Sequence, residues 1–228
     1  MINSLINLFY PKVCCGCESF LLSNEQVICT RCRHEIPLTH HLSEPENEAM
    51  KKFYGKIPVE FAAAFVYYHK KGIVQEMIHN LKYRGQEDIG TLMANWSAAD
   101  LQKIVTSFKV DAIIPVPLHP KKLRERGYNQ VTAFGLALAN EIGIPFNNDL
   151  LIRKIYSKTQ TRKNLLGRSE VGKQDIFDVV FLEKDHHKHY LLIDDVLTTG
   201  STLESCARAL LKIPKVKISI FCMAMSHS

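Results

Sequence analysis

Two adjacent carboxylates and a cluster of hydroxyl side chains stand close together in the last third of the chain. Asp194 and Asp195 follow an apolar run at residues 190–193. After a further apolar pair come five small residues, which are Thr198, Thr199, Gly200, Ser201 and Thr202. Ionised carboxylates only accept hydrogen bonds, so the pair suits the two hydroxyl donors of a ribose cis-diol. The hydroxyl- and glycine-bearing turn suits a phosphate, which the acids alone would repel. The segment therefore predicts a sugar-phosphate site.

The elements on either side of this turn follow from the hydrophobic pattern. The apolar run that ends at the acids has the length of a buried parallel strand. Beyond the turn, one apolar helix face is predicted from the spacing of Leu203, Ala207, Leu210 and Leu211. Main-chain N–H groups at the start of such a helix converge on an anion, and the macrodipole favours its charge. The alternative is a buried strand followed by an ordinary capped helix, with both aspartates solvated.

A second strand pattern leads into a strongly basic segment. Residues 110–117 are apolar and end at prolines, which cannot donate to a sheet ladder. The cations that follow are Lys121, Lys122, Arg124 and Arg126. On its own this segment would be a solvated loop, but beside a sugar phosphate it can bind a diphosphate leaving group, whose oxygens gain negative charge. Arg124 and Arg126 are therefore candidates for diphosphate binding and catalysis, whereas Asn129 and Gln130 are expected to hold the loop in place.

Two further cations stand at the end of a helical pattern. Residues 73–81 have helical spacing and run into Lys82-Tyr-Arg-Gly85. Gly85 suits a helix C-terminus, and Lys82 and Arg84 suit the negative end of the helix dipole, which would explain both cations structurally. The alternative is that Lys82 and Arg84 face the site and bind the diphosphate.

Five of the seven cysteines lie in one N-terminal stretch. Two Cys-x-x-Cys pairs, separated by eleven residues, are formed by Cys14, Cys17, Cys29 and Cys32. Pairs at this spacing close a tetrahedral thiolate site, and four sulfur ligands predict a structural Zn²⁺ with no open position for catalysis. Cys15 is an alternative to Cys14, and His34 is a weaker competitor. A redox role for one pair is a minor alternative, because neither pair is expected to open a helix in a strand–helix–strand pattern.

The overall composition is that of an ordinary globular protein. The chain has 228 residues, 46% of them hydrophobic and 23% charged, which is enough for one α/β domain and a small extra module. The formal net charge of +6 is compatible with nucleic acid or anionic metabolites as partners and requires neither. Residues 1–11 are too short for a membrane span and have no basic leader, so no membrane insertion and a cytoplasmic location are expected.

Changes in composition divide the chain into three parts. Residues 1–42 are predicted to form the zinc ribbon, the polar residues 43–58 a linker, and residues 59–228 the main domain. From Phe61 onward strand and helix patterns alternate, which predicts an α/β fold with a mostly parallel sheet and helices on both faces. Such sheets bind ligands at the carboxyl ends of their strands, so the acidic turn and the basic segment should share one edge. The histidine-rich residues 186–189 are expected to form a solvated loop.

Residues 191–202 resemble the phosphoribosyl-diphosphate (PRPP) signature of type I phosphoribosyltransferases, with two acids, an apolar pair and Thr-Thr-Gly-x-Thr. Nearly the whole chain is similar to the ComF family. The similarity includes the four-cysteine ribbon, Leu-Lys-Tyr-x-Gly at residues 81–85, Val-Pro-Leu-His-Pro at 116–120 and Arg-Glu-Arg-Gly-Tyr-Asn-Gln at 124–130. It departs from the family where an Asn is expected near residues 171–175, although Gln160, Arg168 and Phe177 are kept. No site role is assigned to that region.

The resemblance implies a type I phosphoribosyltransferase fold that binds PRPP. Asp194 and Asp195 would bind the ribose hydroxyls, residues 198–202 the 5′-phosphate, and Mg²⁺ would bridge the diphosphate and ribose oxygens. The diphosphate ligands would be Lys82, Arg84, Arg124 and Arg126. Phosphoribosyl transfer to an unknown acceptor is implied but not required, since the fold also includes regulators that bind without reacting. The family is associated with natural competence and DNA uptake, so the alternative is a non-catalytic competence factor that binds single-stranded DNA or partner proteins, with PRPP as a regulator.

Overall fold

The computed structural model describes residues 11–154 and 176–226. Its α-helices, in chain order, are α1 (Thr30–Glu35), α2 (Glu48–Lys51), α3 (Ile73–Tyr83), α4 (Asp88–Phe108), α5 (Pro120–Arg126), α6 (Val131–Ile142) and α7 (Ser201–Leu210). Its strands are β1 (Ala62–Tyr68), β2 (Ala112–Pro115), β3 (Leu151–Arg153), β4 (Phe177–Val179), β5 (His189–Leu197) and β6 (Lys217–Ser226). Gln160, Arg168 and residues 171–175 lie outside the described residues.

Four of the strands form one parallel sheet in the order β1-β6-β5-β2. β5, which ends at the acidic turn, is central and pairs with β6 on one side and with β2 on the other. Pro115 is the last residue of β2, because a proline has no N–H to continue the ladder. β3 and β4 form a separate antiparallel pair. The acidic turn therefore lies at the carboxyl edge of the sheet, next to the end of β2.

Helices cover both faces of the parallel sheet, and alternate residues of each strand face opposite ways. On one face, Ile113, Leu191 and Phe221 pack with apolar residues of α3, α4 and α6. On the other, Ile114 and Leu192 pack with α7 and with the β3–β4 pair. The predicted fold class, a mostly parallel sheet with helices on both faces and an N-terminal four-cysteine module, is confirmed. Within the described residues, no helix is long and apolar enough to cross a membrane.

The cysteine module packs directly on α3 and α4. Asn80 of α3, which is 2% exposed, donates from Nδ2 to the Cys15 carbonyl at 2.9 Å. The guanidinium of Arg33 lies over the ring of Trp96 in α4, 5.4 Å from its centroid. Cys29 is the N-cap of α1 and accepts a hydrogen bond from the Cys32 N–H, so the second cysteine pair opens a short helix, although that helix is not part of a strand–helix–strand unit. The Cys29 sulfur acts as the N-cap acceptor, and this hydrogen bond satisfies one of the main-chain N–H groups at the start of the helix.

The polar segment at residues 43–58 is packed against the main domain. It contains α2, and Phe53 is fully buried beside the turn at residues 198–202. A Cβ added to Gly200 would lie 3.1 Å from the Phe53 ring, so this ring packs directly against the turn. The sequence suggested that this segment only connects the cysteine module to the main domain. Its buried residues Ala49, Phe53 and Ile57 instead belong to the apolar core of the main domain.

His189 differs from the solvated loop residue that the histidine-rich sequence suggested. It begins β5, is 3% exposed, and its Nε2 lies 2.7 Å from the Ser219 hydroxyl. Its Nδ1 lies 2.9 Å from the Phe108 carbonyl. Both ring nitrogens therefore have partners, and burial lowers the pKa of this imidazole. His189 lies at the amino end of the sheet, where these hydrogen bonds link β5 to β6 and to the end of α4.

Candidate functional site

The turn after β5 has the geometry of an anion-binding helix start. Gly200 adopts φ +80°, a left-handed conformation that a side chain would disfavour, and places Ser201 at the first position of α7. Thr198, Thr199 and Ser201 are exposed, and the Thr199 hydroxyl lies 3.2 Å from that of Ser201. The first N–H groups of a helix have no partner within it. The turn thus presents hydroxyl and main-chain donors to solvent at the carboxyl edge of the sheet.

The two acids before the turn have different surroundings. Asp195 is 5% exposed, and its Oδ2 lies 2.9 Å from Nζ of Lys82 and 2.7 Å from Nε2 of Gln130, which donates to it. Its main-chain N–H donates to Oδ1 of Asp194 at 2.8 Å. The charge of Asp194, in turn, acts on the thiol of Cys206 in α7. Asp195 is thus held by α3 and by the start of α6, while Asp194 adjoins α7 on the other side.

The carboxyl group of Asp194 is electrostatically unusual. Burial of the group, followed by the negative charge of Asp195, raises the pKa of Asp194 to about 8. Lys82 and the N–H of Asp195 act in the opposite direction and do not cancel the shift. The site therefore holds one carboxylate with a cation beside it and a neighbouring acid that retains its proton at neutral pH.

The basic segment contains a short helix where a loop was expected. His119 accepts a hydrogen bond from the Lys121 N–H through Nδ1 at 3.1 Å, and Gly127 ends α5 in a left-handed conformation. Proline at the first helical position completes the start signal. Asn129 donates to the Val116 carbonyl at 3.0 Å, and Gln130 contacts both Asp195 and Arg126. The expectation that Asn129 and Gln130 hold this segment in place agrees with these contacts.

The structure brings two of the four candidate diphosphate cations together. Lys82 and Arg126 line a cavity of about 200 Å³, to which Lys122 adds a third positive charge and Glu125 a single negative one. Gln130 accepts from Nη1 of Arg126 at 2.7 Å. The guanidinium of Arg126 lies 5.1 Å from the centre of the Tyr83 ring.

The other two candidate cations lie elsewhere. Arg84 donates from Nη1 to Glu18 of the cysteine module at 3.0 Å. Arg124 is on the exposed side of α5 and is not among the residues that line this cavity. Arg84 and Arg124 therefore remain sequence-based candidates that this conformation does not place at the cavity.

A larger cavity of about 600 Å³ shares Lys82 and Tyr83 with the basic cavity. Its walls combine the ends of β1 and β6 with α3 and with Thr198 of the turn. No role was predicted from the sequence for its aromatic and imidazole side chains, which are Tyr68, His69, His79 and Tyr83. A weak signal was present, because Gln75, His79 and Lys82 recur at helical spacing on one face of α3. The contribution from β1 had no such signal, since it depends on the strand order.

The four predicted metal ligands converge in the N-terminal module. One donor atom from each of Cys14, Cys17, Cys29 and Cys32 lies within 4.8 Å of the others. A set of four thiolates at this separation could hold a metal ion. Cys15 does not belong to the cluster, since its thiol donates to Oε1 of Gln86 at 2.6 Å, and burial raises its pKa to about 11. The alternative ligand set with Cys15 in place of Cys14 is thus not the arrangement observed.

These features define an α/β protein with an acidic strand end, a hydroxyl-rich turn and a basic cavity at one sheet edge, preceded by a four-cysteine module. No protein-family model matches the chain. The chain is 32% identical to Competence protein F of Haemophilus influenzae over 114 residues, which are 50% of each protein. It is 26% identical to Competence protein ComFC of Bacillus subtilis over 163 residues, 70% of this chain and 62% of that protein. The predicted resemblance to the ComF family is confirmed by these relatives.

The similarity is partial in extent. The chain spans about half the length of the first of these relatives and less than two thirds of the second. Among solved structures, a purine phosphoribosyltransferase from Pyrococcus horikoshii Ot3 is 22% identical, with a TM-score of 0.38 over 59% of this chain and 74% of that one. A likeness of that size is too remote to support an argument about this chain.

Proposed function

We propose that this protein binds PRPP at the carboxyl edge of its sheet. The observation that supports the proposal best is the placement of two adjacent acids, an anion-binding turn and a basic cavity around one edge. The turn at residues 198–202 would bind the 5′-phosphate, and Asp194 and Asp195 the ribose hydroxyls. Lys82 and Arg126 would bind the diphosphate, which needs several positive charges.

Mg²⁺ is part of the same proposal. The donor set available to it consists of carboxylate oxygens at Asp194 and Asp195, hard ligands of the type that Mg²⁺ prefers. The ion would keep several waters and bridge the ribose and diphosphate oxygens of the ligand. The residues present fit this role, because the acids lie in β5 shortly before the turn, and Oδ2 of Asp195 lies 2.9 Å from Nζ of Lys82, which lines the basic cavity.

Isothermal titration calorimetry with PRPP tests the proposal. We expect saturable binding that requires Mg²⁺ and weakens at least tenfold when both acids are replaced, as Asp194→Asn with Asp195→Asn, because a charge-assisted hydrogen bond is lost at Asp195 and position 194 can no longer release a proton to accept a second one. Asp100→Asn is the matched control, since Asp100 is an exposed acid that pairs with Lys103 on α4. No heat with the wild-type protein, or equal affinity in the double variant, would show the proposal to be wrong.

We also propose that the metal of the cysteine module is a structural Zn²⁺. Four thiolates make a soft, complete ligand set, which zinc occupies in tetrahedral geometry. Three of the four cysteines are buried within the same apolar cluster as α3 and α4. The ion would therefore fix the module against the main domain and would take no part in chemistry at the sheet edge.

A second candidate function is single-stranded DNA binding in natural competence. Relatives of this chain are named competence proteins, and others, such as that of Salmonella typhi at 26% identity, are named DNA utilization proteins. The observation that favours it here is α5, whose residues are all exposed or half-exposed and include four cations against one acid. Such a helix can contact phosphates without reading sequence.

Fluorescence anisotropy with a labelled oligothymidylate measures this second function. Binding should weaken steeply between 50 and 200 mM salt, and charge reversal at Lys121, Lys122 and Arg124 should lower affinity by about tenfold or more, since three phosphate contacts are lost. The control reverses Lys51 and Lys103, which lie on other helices. An equal loss in both variants would indicate a general charge effect and would refute a role for α5.

A further inference from the structure

The end of α3 lies between the cysteine module and the site at the carboxyl edge of the sheet. On the module side, Nδ2 of Asn80 donates to the Cys15 carbonyl at 2.9 Å. Arg84 donates from Nη1 to Glu18 at 3.0 Å, and Gln86 accepts from the Cys15 thiol at 2.6 Å. Because Asn80 and Arg84 are four residues apart, their side chains lie on the same side of the helix end. That side belongs to the interface with the module.

The residues between these contacts reach the candidate site. Nζ of Lys82 lies 2.9 Å from Oδ2 of Asp195. The main chain of the same turn is also held there, because the Tyr128 hydroxyl, just after the basic helix α5, donates to the Leu81 carbonyl. One turn of helix therefore contacts the cysteine module on one side and the sheet-edge site on the other.

Asn80 makes the most buried of the contacts with the module. It is 2% exposed, and its own carbonyl accepts from the N–H groups of Arg84 and Gln86, at 3.0 and 3.5 Å, which close the end of the helix. A buried amide that loses its partner is strongly destabilised, so undocking of the module would act directly on this turn. The ion pair between Arg84 and Glu18 is exposed and contributes less.

Lys82 stands in the turn that would be disturbed. The last residues of a helix lack some of its internal hydrogen bonds, so they open more easily than the middle. The Lys82 side chain is only 21% exposed, and its approach to Asp195 depends on where the main chain of the turn lies. Contacts that fix this turn from the module side therefore also fix the cation beside the acid.

From these contacts we propose that Asn80 is a positioning residue for Lys82, through which the docked cysteine module acts on the sheet-edge site. Since Lys82 is assigned to the diphosphate, this role rests on the proposed function. The module supplies no reacting group and acts only through the position of the turn. Coupling between two sites is reciprocal, so a ligand at the sheet edge should in turn hold the module in place and slow the loss of its metal.

Hydrogen exchange measured by mass spectrometry tests the positioning role without a ligand. In Asn80→Ala we expect exchange about fivefold faster at the end of α3 and at residues 120–130, with the metal retained, because one buried hydrogen bond is lost. Ser219→Ala is the matched control, since the buried Ser219 hydroxyl lies 2.7 Å from Nε2 of His189 at the amino end of the sheet. Faster exchange confined to the cysteine module, or an equal change at residues 120–130 in the control, would overturn the proposal.

A second variant serves if Asn80→Ala does not fold. Glu18 and Arg84 are exposed, so their charges can be exchanged without disturbing the core. Arg84→Glu should speed exchange at residues 120–130, because two like charges then meet, and adding Glu18→Arg should restore the wild-type rate. No recovery in the double variant would overturn the proposal.

Calorimetry with PRPP and Mg²⁺ separates this proposal from the proposed function. Asn80→Ala should bind PRPP about fivefold more weakly than the wild-type protein, whereas Ser219→Ala should bind equally well. Saturating PRPP should slow the transfer of zinc from the wild-type protein to the chelator TPEN, and should slow it less in Asn80→Ala. PRPP binding that leaves zinc transfer from the wild-type protein unchanged would overturn the coupling alone. No PRPP binding, together with the expected exchange pattern, would refute the proposed function alone.

Discussion

Replacing Cys32 with serine should destabilise the protein by about 3 kcal/mol or more, because structural zinc sites contribute on the order of 10 kcal/mol in isolated peptides. Cys32 is 1% exposed and belongs to the four-thiol cluster, which packs in one apolar cluster with α3 and α4. Loss of one ligand leaves a buried hydroxyl in its place and an incomplete site. Thermal denaturation followed by circular dichroism measures the effect, and elemental analysis should show about one zinc per chain in the wild-type protein and much less in Cys32→Ser.

Cys15→Ser is the control for this prediction. Cys15 is buried like Cys32, but its thiol donates to Gln86, a bond that a serine hydroxyl can also make. Its effect should stay within about 1 kcal/mol, with zinc retained. The single tryptophan, Trp96, lies under Arg33 of the module, so its emission reports docking and should shift to the red only in Cys32→Ser. Equal destabilisation by the two variants would contradict a metal role for Cys32.

The features that the sequence predicted well are those in which local pattern and local chemistry agree. The apolar run at residues 190–193 identified the buried central strand β5, although the strand continues through both acids to Leu197. The start of α7 was predictable from Gly200 and its hydroxyl neighbours, and the cysteine cluster from the spacing of two pairs. In each case the signal lies within one short stretch of chain, the longest being residues 14–32.

What the sequence could not supply depends on contacts between distant segments. The ion pair of Lys82 with Asp195 joins α3 to β5, and only the strand order places these elements together. Arg84, two residues further along the chain, instead forms an ion pair with Glu18 of the cysteine module. Nothing local distinguishes the two cations, because both stand at the C-terminal end of the same helix, Lys82 in its last turn and Arg84 at its C-cap. The large cavity was not predicted for the same reason, since β1 and α3 meet the acidic turn only through the order of the sheet.

Replacing Asp194 with asparagine should stabilise the unliganded protein at high pH. The pKa of Asp194 is raised from about 3.8 to about 8 by burial and by the charge of Asp195. The folded state therefore holds a proton that the unfolded chain releases near pH 4, so wild-type stability should fall as the pH rises from about 4 to 8. Each pKa unit is equivalent to about 1.4 kcal/mol, so the variant should gain on the order of 3 kcal/mol or more at pH 9 and almost nothing at pH 4. Urea denaturation at these two pH values measures the difference.

Asp195→Asn should act with the opposite sign, which makes the pair of variants a sharp test. Asp195 compensates Lys82, whose side chain is 21% exposed, so its loss should cost about 1–3 kcal/mol at neutral pH. The raised pKa of Asp194 also predicts that PRPP binding changes its protonation, because hydroxyl groups of a ribose that donate to Asp194 favour its ionised form. PRPP binding should then release protons between about pH 6 and 8, and calorimetry in buffers of different ionisation enthalpy should detect them. A stabilising Asp195→Asn, or a pH-independent effect of Asp194→Asn, would show that the proton is not held at Asp194.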